Sequence, residues 1–279
     1  MKETTKATIG RFCCLCCLSG NETICIETKM HYNELMQETT FEKELSFVGD
    51  KQVFIIGVDE AGRGPLAGPV VAAAACCKDQ KFYIPEKLKK DFVLIRDSKK
   101  LSAKQREKTF AFIEERFYYG IGIVGVKTID RVNVLQASFF AMKSALTDLR
   151  RKLLSIGSLS SGKLEIYDGM YLLVDGNQTI PNISVKQEAI VNGDSTVKSI
   201  AAASIVAKVV RDRIMNDFDK KYPNYGFIKH KGYGTREHMD ALRRFGHCPI
   251  HRMSFRPVLL SIPENANKRF SKVLKPNKR

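Results

Sequence analysis

The residues best placed to do chemistry are four acids, each where an apolar run ends or a helix begins. Asp59 and Glu60 close the run Val53-Phe54-Ile55-Ile56-Gly57-Val58. Asp175 closes Tyr171-Leu172-Leu173-Val174 and precedes Gly176, and Asp194 follows Gly193 ahead of the longest helical pattern. Acids at the mouth of a sheet are costly unless they meet water, a proton or a metal. Four carboxylates brought together repel and raise one another's pKa, a conflict that a divalent ion removes. Oxygen ligands without His or Cys select Mg2+ or Mn2+ over zinc. Taken singly, Asp194 reads equally well as an N-cap favoured by the helix dipole, and Asp175 as a turn residue before glycine. The adjacent pair Asp59-Glu60 has no such reading, since neither is an obvious cap.

The turn Gly62-Arg63-Gly64-Pro65-Leu66-Ala67-Gly68 follows at once. Its glycine spacing departs from G-x-G-x-x-G, acids directly before it would repel a bound phosphate, and no G-K-[ST] follows. What remains is a backbone that approaches a ligand closely, because glycine has no Cβ. Beside metal-held acids that ligand is a phosphate or sugar of a nucleic acid. The charge agrees: 46 Lys and Arg stand against 30 Asp and Glu, a net charge of +16. Phosphate neutralisation makes nucleic acid the leading partner, against the plainer reading of a merely basic soluble protein. From Lys208 to Arg256 there are twelve Lys or Arg and five Asp or Glu. Lys208, Arg211, Lys229 and Lys231 are candidates to track phosphates, with Lys99 nearer the acids. Lys208 and Asp212 could equally form an i,i+4 pair. His230 reads as a loop histidine, with no His or Cys partner at metal spacing.

The elements that must position these groups follow from periodicity. Strands are expected at Val53–Asp59, Gly68–Cys77, Tyr119–Val126, Met170–Val174 and Ile183–Ile190. Helices are expected at Ala103–Phe117, Asn133–Leu154, Thr196–Lys220 and Thr235–Phe245. The first of these carries a capping box, Ser102 with Gln105, and the last is closed by Gly246. Hairpin-like strands come first and then alternate with helices, which predicts an α/β domain with a mixed sheet flanked by helices. If the first and fourth strands are neighbours, Asp59 and Asp175 emerge at the same edge.

Residues 1–50 read as an N-terminal extension, in which Tyr32–Leu45 could form one short helix; 51–258 form the core; 259–279 form a basic tail. The 155–169 stretch, rich in Ser and Gly, reads as a loop. Five of the eight cysteines precede residue 26 and lack a second pair or a His pair at zinc spacing. No export pattern or membrane-length apolar run is visible, so reduced thiols, a cytoplasmic setting, no membrane partner and a monomer are the expectations. The leader is either a disordered segment or the product of a start codon placed too early, given Met30 and Met36.

Several long motifs, in order, carry a resemblance. Gly57-Val-Asp-Glu-Ala-Gly-Arg-Gly-Pro-Leu-Ala-Gly-Pro69 resembles the signature of ribonuclease HII. So do Asp97-Ser98-Lys99-Lys100-Leu101, Val174-Asp175-Gly176, Gly193-Asp194, Ser199-Ile-Ala-Ala-Ala-Ser204-Ile-Val-Ala-Lys208 with Arg211-Asp212, His230-Lys-Gly-Tyr233-Gly-Thr235, and His251-Arg-Met-Ser-Phe255. The likeness runs from about residue 41 to 258; the related HIII type would be expected to lack the Gly-Arg-Gly turn. It implies a ribonuclease H-like fold and endonucleolytic cutting of RNA in RNA–DNA hybrids, including ribonucleotides embedded in duplex DNA. It implies Asp59, Glu60, Asp175 and Asp194 as a metal site for two Mg2+ or Mn2+ ions, with Asp59 and Asp175 approaching both. It also implies that Gly62, Arg63, Gly64 and Tyr233 inspect the 2′-OH at the RNA-to-DNA junction, with Lys99, Ser199, Ser204, Lys208 and Arg211 as further substrate contacts. For Tyr233 the plainer reading is a core aromatic, which its flanking glycines disfavour. The rivals are a nucleic-acid-binding protein without catalysis and a different metal-dependent nuclease on the same fold.

Overall fold

Two apolar alternations set the architecture. In a computed structural model, which describes residues 41–46, 54–79, 86–156 and 169–261, strands β1 (Phe54–Ala61), β2 (Val70–Cys77), β3 (Phe117–Val124), β4 (Met170–Asp175) and β5 (Lys186–Ile190) form one sheet in the order β3-β2-β1-β4-β5. The pairs β1–β2 and β2–β3 are antiparallel, and β1–β4 and β4–β5 are parallel. The mixed sheet expected from the sequence is present. The longer helices are α1 (Ala103–Arg116), α2 (Val126–Val132), α3 (Val134–Ser155), α4 (Lys198–Lys221) and α5 (Arg236–Phe245).

Successive side chains on a strand face opposite sides, and both sides are covered. Ile55, Ala73, Ala75 and Leu173 join the core under α4. Phe54, Ile56, Val58, Ala72, Ala74, Leu172 and Val174 join a second core under α3. Asp59 and Asp175 share the parity of Ile55 and Leu173 and therefore lie on the α4 side. Gly57 is what lets α4 come so near: a Cβ there would sit 2.1 Å from the Ser199 carbonyl carbon. A third cluster, with Met215, Phe227, Leu242 and Ile250, packs the chain after α4 against Leu66 and Ala67 of the turn behind β1.

Several boundaries differ from the sequence reading. The third strand ends at Val124, because the chain turns at Gly125 into α2, a helix the periodicity did not predict. The capping box at Ser102 is present with both of its hydrogen bonds. The long helix begins at Lys198, and Gly193–Thr196 forms a separate turn. Buried Val197 lies between them with extended backbone, φ −114° and ψ 124°. Asp194 is thus in the first turn of the short helix and is no N-cap of α4.

The packed domain also starts earlier than residue 51. Helix Glu42–Leu45 is tucked against the core, with Phe41 beside Phe92 and Phe117. The Glu44 carboxylate, fully buried, accepts the Ser199 N–H at 2.8 Å. α4 has no side-chain cap of its own, so an acid from the preceding segment supplies one, favoured by the helix dipole. The cysteine-rich leader, residues 157–168 and the basic tail from 262 lie outside the described residues.

Candidate active site

The parallel pairing of β1 with β4 places the acids. Val58 is in register with Val174, so Asp59 and Asp175 are the next residues along two neighbouring strands. Asp59 is buried and held well above the usual carboxylate range by desolvation, then by Glu60 and Asp175; the Ser204 hydroxyl pulls it back down. Burial raises Glu60 too, against the Arg63 guanidinium beside it. Asp175 is raised by burial and by Asp194, while backbone N–H groups from the next turn oppose the shift. One of those bonds runs from Asp194 N to Asp175 Oδ1 at 3.2 Å. The structure therefore brings all four sequence-derived acids to one end of the sheet. Three of them bear an electrostatic cost that protons or cations would relieve.

Two basic side chains partly relieve it. Arg63 Nη1 lies 3.1 Å from Glu60, and Lys99 Nζ lies 3.4 Å from Asp194 Oδ2. Burial pulls the Lys99 ammonium down, but Asp194, Asp97 and Asp59 together push it above its ordinary value. The 3-10 turn Ser98–Lys100 holds this lysine in place. Its cap, Asp97, accepts the Lys99 N–H, and buried Ser98 shares a 3.0 Å hydrogen bond with Ser204. With Glu60 and Asp194 turned to these cations, the carboxylates form no ready-made metal cage among the described residues. The donor set nonetheless suits a hard divalent ion, being all oxygen and crowded.

The glycine turn is secured from beneath. Gly62 has φ 101°, and a Cβ there would strike the Arg211 side chain at 2.2 Å. Arg252, completely buried, donates to the carbonyls of Gly62, Arg63, Gly68 and Pro69. Arg211, also buried, donates to Ala67, Pro69 and Lys231. All described peptide bonds are trans, so each N–H points opposite to the preceding carbonyl. With the Gly62 and Arg63 carbonyls on Arg252, the N–H groups of Arg63 and Gly64 face away from it. Both residues are exposed. The exposed Tyr233 ring lies 3.6 Å from where a Gly64 Cβ would be, so Tyr233 is no core aromatic.

The structure redistributes the other basic candidates. Arg211, expected to touch phosphate, spends its donors on backbone carbonyls inside the protein. Lys208 pairs with Asp212 at 2.7 Å, the i,i+4 alternative. Ser199, in the first turn of α4, is fully buried and donates its backbone N–H to Glu44. Lys208, Lys229 and Lys231 instead line, with Arg106, Arg213 and Tyr233, a cleft of about 420 Å3. Sequence reasoning missed Arg252, although His251-Arg-Met-Ser-Phe255 was visible as a motif, because nothing in the pattern says that a surface-type residue turns inward. It also missed His238 and His251, whose rings are in hydrogen-bond contact at 2.9 Å.

Comparisons with known proteins agree with this geometry. The family model described as Ribonuclease HII matches residues 56–258. A ribonuclease HII of Caldanaerobacter subterraneus subsp. tengcongensis is 48% identical over 203 residues, covering 72% of this chain and 73% of the relative. One from Acetivibrio thermocellus is 45% identical over 226 residues, covering 80% and 77%. Among solved structures, the ribonuclease H2 of Pyrococcus horikoshii OT3 superposes with a TM-score of 0.51 at 26% identity, covering 78% of this chain and 99% of that one. A match spanning the sheet, the four acids, the glycine turn and the closing motif leaves one conclusion: this chain belongs to the ribonuclease HII family.

Proposed function

We propose that this protein hydrolyses the RNA strand of RNA–DNA hybrids and cuts at ribonucleotides embedded in duplex DNA, with divalent ions held by Asp59, Glu60, Asp175 and Asp194. The observation that carries the reading is the register of β1 with β4, which sets Asp59 beside Asp175 with both carboxyls raised in pKa. When bound, a pair of Mg2+ or Mn2+ ions would activate water and neutralise the scissile phosphate. The chain's own residues do the rest. Asp59, anchored by Ser204, and Asp175, anchored by Asp194 N, present ligand oxygens from two rigid strands. Lys99 and Arg63 pair with Asp194 and Glu60; with a cation held by those carboxylates, both side chains would be available to the substrate's phosphates. The outward N–H groups of Arg63 and Gly64 are donors for a ribose 2′-OH, which can accept as well as donate. Tyr233 closes against the same sugar, and the basic cleft beyond it suits the phosphate backbone.

The test is a labelled DNA duplex with a single ribonucleotide, incubated with Mg2+, with Mn2+ and with EDTA. Cutting at the ribonucleotide that EDTA abolishes is the expected result. No cutting with either metal would sink the reading in favour of a non-catalytic binder, and cutting of an all-DNA duplex would favour a general nuclease.

A further inference from the structure

Three buried histidines lie behind Tyr233, and their hydrogen bonds fix which nitrogen of each carries the proton. The His238 Nδ1 contacts the Tyr233 carbonyl at 2.9 Å. A carbonyl only accepts, so His238 carries its proton on Nδ1 and its Nε2 is an acceptor. That Nε2 faces His251 Nε2 at 2.9 Å, so His251 must donate from Nε2 and accept at Nδ1. At the far end the Cys248 N–H donates to His251 Nδ1 at 2.9 Å. A backbone carbonyl at one end and a backbone N–H at the other thus demand the same direction. The reverse tautomer of His251 would offer a longer 3.3 Å contact to the Cys248 carbonyl, but would set two N–H groups against each other. His230 is fixed in the same way, accepting from Gly232 N and donating to the Tyr225 carbonyl, and its ring stacks on His238 at 4.5 Å.

We propose that Cys248 N–H, His251 and His238 form a one-way hydrogen-bond relay that positions Tyr233, making His238 and His251 positioning residues for ribonucleotide discrimination. The proposal rests on the reading of Tyr233 as a sugar contact. Its force comes from where the relay starts. The Cys248–Arg252 turn also holds the glycine turn: Gly68 N donates to the Ile250 carbonyl, Arg252 N to the Leu66 carbonyl, and the Arg252 guanidinium to the carbonyls below Arg63 and Gly64. One turn therefore anchors both halves of the sugar-reading surface, the outward amides through Arg252 and the tyrosine through the two histidines. Burial keeps both rings neutral, lowering His238 to about 4 and His251 to about 3, so the relay persists at working pH.

Two measurements on the full chain test this. In 15N spectra of the histidine side chains, the relay requires His238 protonated at Nδ1 and His251 at Nε2; the opposite tautomer at either ring would overturn it. Cleavage at a single ribonucleotide relative to an RNA stretch is then compared for His238→Leu, His238→Asn and Tyr233→Ala. Leucine keeps apolar bulk and loses the donor, whereas asparagine keeps an N–H near the Nδ1 position. The relay predicts that His238→Leu loses about tenfold or more of the single-site preference, the scale of a slightly misplaced contact group, and that His238→Asn retains most of it. A ring that merely fills space predicts the reverse order, and that order would overturn the proposal. If Tyr233→Ala leaves the preference unchanged, the sugar-reading role is what fails and the relay's part in discrimination falls with it. If Tyr233→Ala loses the preference while His238→Leu keeps it, the relay alone fails.

Discussion

The two halves of the site are built on opposite principles. At the acid end of the sheet, Asp59, Glu60 and Asp175 crowd together with pKa values pushed up, and the nearest cations are side chains that can leave. At the glycine turn almost every polar group has a fixed partner: two buried arginines bind five carbonyls of residues 62–69, and three histidines are locked in one tautomer each. One region is left electrostatically unsatisfied, which is what the proposed metal and phosphate binding requires. The other is satisfied in advance, which leaves the outward N–H groups of Arg63 and Gly64 for the proposed sugar contact. Chemistry needs a deficit; recognition needs rigidity. The chain places them two residues apart.

The sharpest way to break this contrast is to remove the deficit. Asp59→Asn should lower kcat by at least about 10³-fold, the scale of losing one strong transition-state stabiliser. The same change should raise the thermal midpoint of the metal-free protein, because a raised carboxyl is a cost at neutral pH. Activity assays beside calorimetry in EDTA check both. A variant that is inactive and also less stable would show that Asp59 serves the fold and not a held-back charge conflict.

The matching change in the rigid half should lose stability and function together. Arg252→Met keeps much of the apolar stem but strands the carbonyls of Gly62, Arg63 and Gly68. Each buried acceptor left unpaired costs about 1–3 kcal/mol, so a fall of about 3 kcal/mol or more in denaturant unfolding is expected. Single-ribonucleotide cutting should fall with it. Wild-type stability in Arg252→Met would show that the turn holds its shape unaided.

Acidification separates the halves because their shifts have opposite signs. His238 and His251 have folded-state values of about 4 and about 3 against an ordinary 6.5. Below pH 6.5 the unfolded chain binds protons that the folded rings refuse, so their contribution to stability is present at neutral pH and lost on acidification, until the pH passes those lowered values. The carboxyls of Asp59, Glu60 and Asp175 run the other way: raised in the folded state, they accept protons earlier than in the unfolded chain, and their cost is relieved as pH falls. The thermal-midpoint gain of Asp59→Asn over wild type, measured without metal, should therefore be largest at neutral pH and shrink toward pH 4. A gain that is constant across that range would contradict the assigned direction for Asp59.

How much of this was legible in the sequence follows the same division. The acids were legible because each ends an apolar strand or starts a helix, and strand ends are where a sheet delivers side chains to one edge. The mixed sheet and the Ser102 capping box were legible for equally local reasons. The rigid half was not. Arg211 looked like a phosphate contact, since charge alone cannot tell a guanidinium that faces solvent from one that faces carbonyls. His238 sits at an ordinary helical position, and its partner His251 lies thirteen residues on, in a different turn. The segment from Phe41 was assigned to an extension because a four-residue helix shows no period; its place in the core depends on one phenylalanine and one acid meeting elements far along the chain. Local pattern reveals what an element ends with, while long-range hydrogen bonds to backbone leave no periodic trace.

The smallest expected effect concerns the side chains that stand at the border of the two halves. Lys99 is mostly exposed and 3.4 Å from Asp194, so as an ion pair it contributes at most about 1 kcal/mol. Lys99→Met should barely move the metal-free thermal midpoint. Its consequence should appear in a divalent-ion titration instead. An ammonium at Asp194 competes with the incoming cation for the same oxygen, and any ion that binds the folded state raises the midpoint with its concentration. Removing the competitor should shift the midpoint-versus-Mn2+ curve to lower concentration, even where a lost phosphate contact lowers the cutting rate. A curve that stays in place, or moves to higher concentration, would mean that Lys99 orders the carboxylate for the metal and does not hold its place.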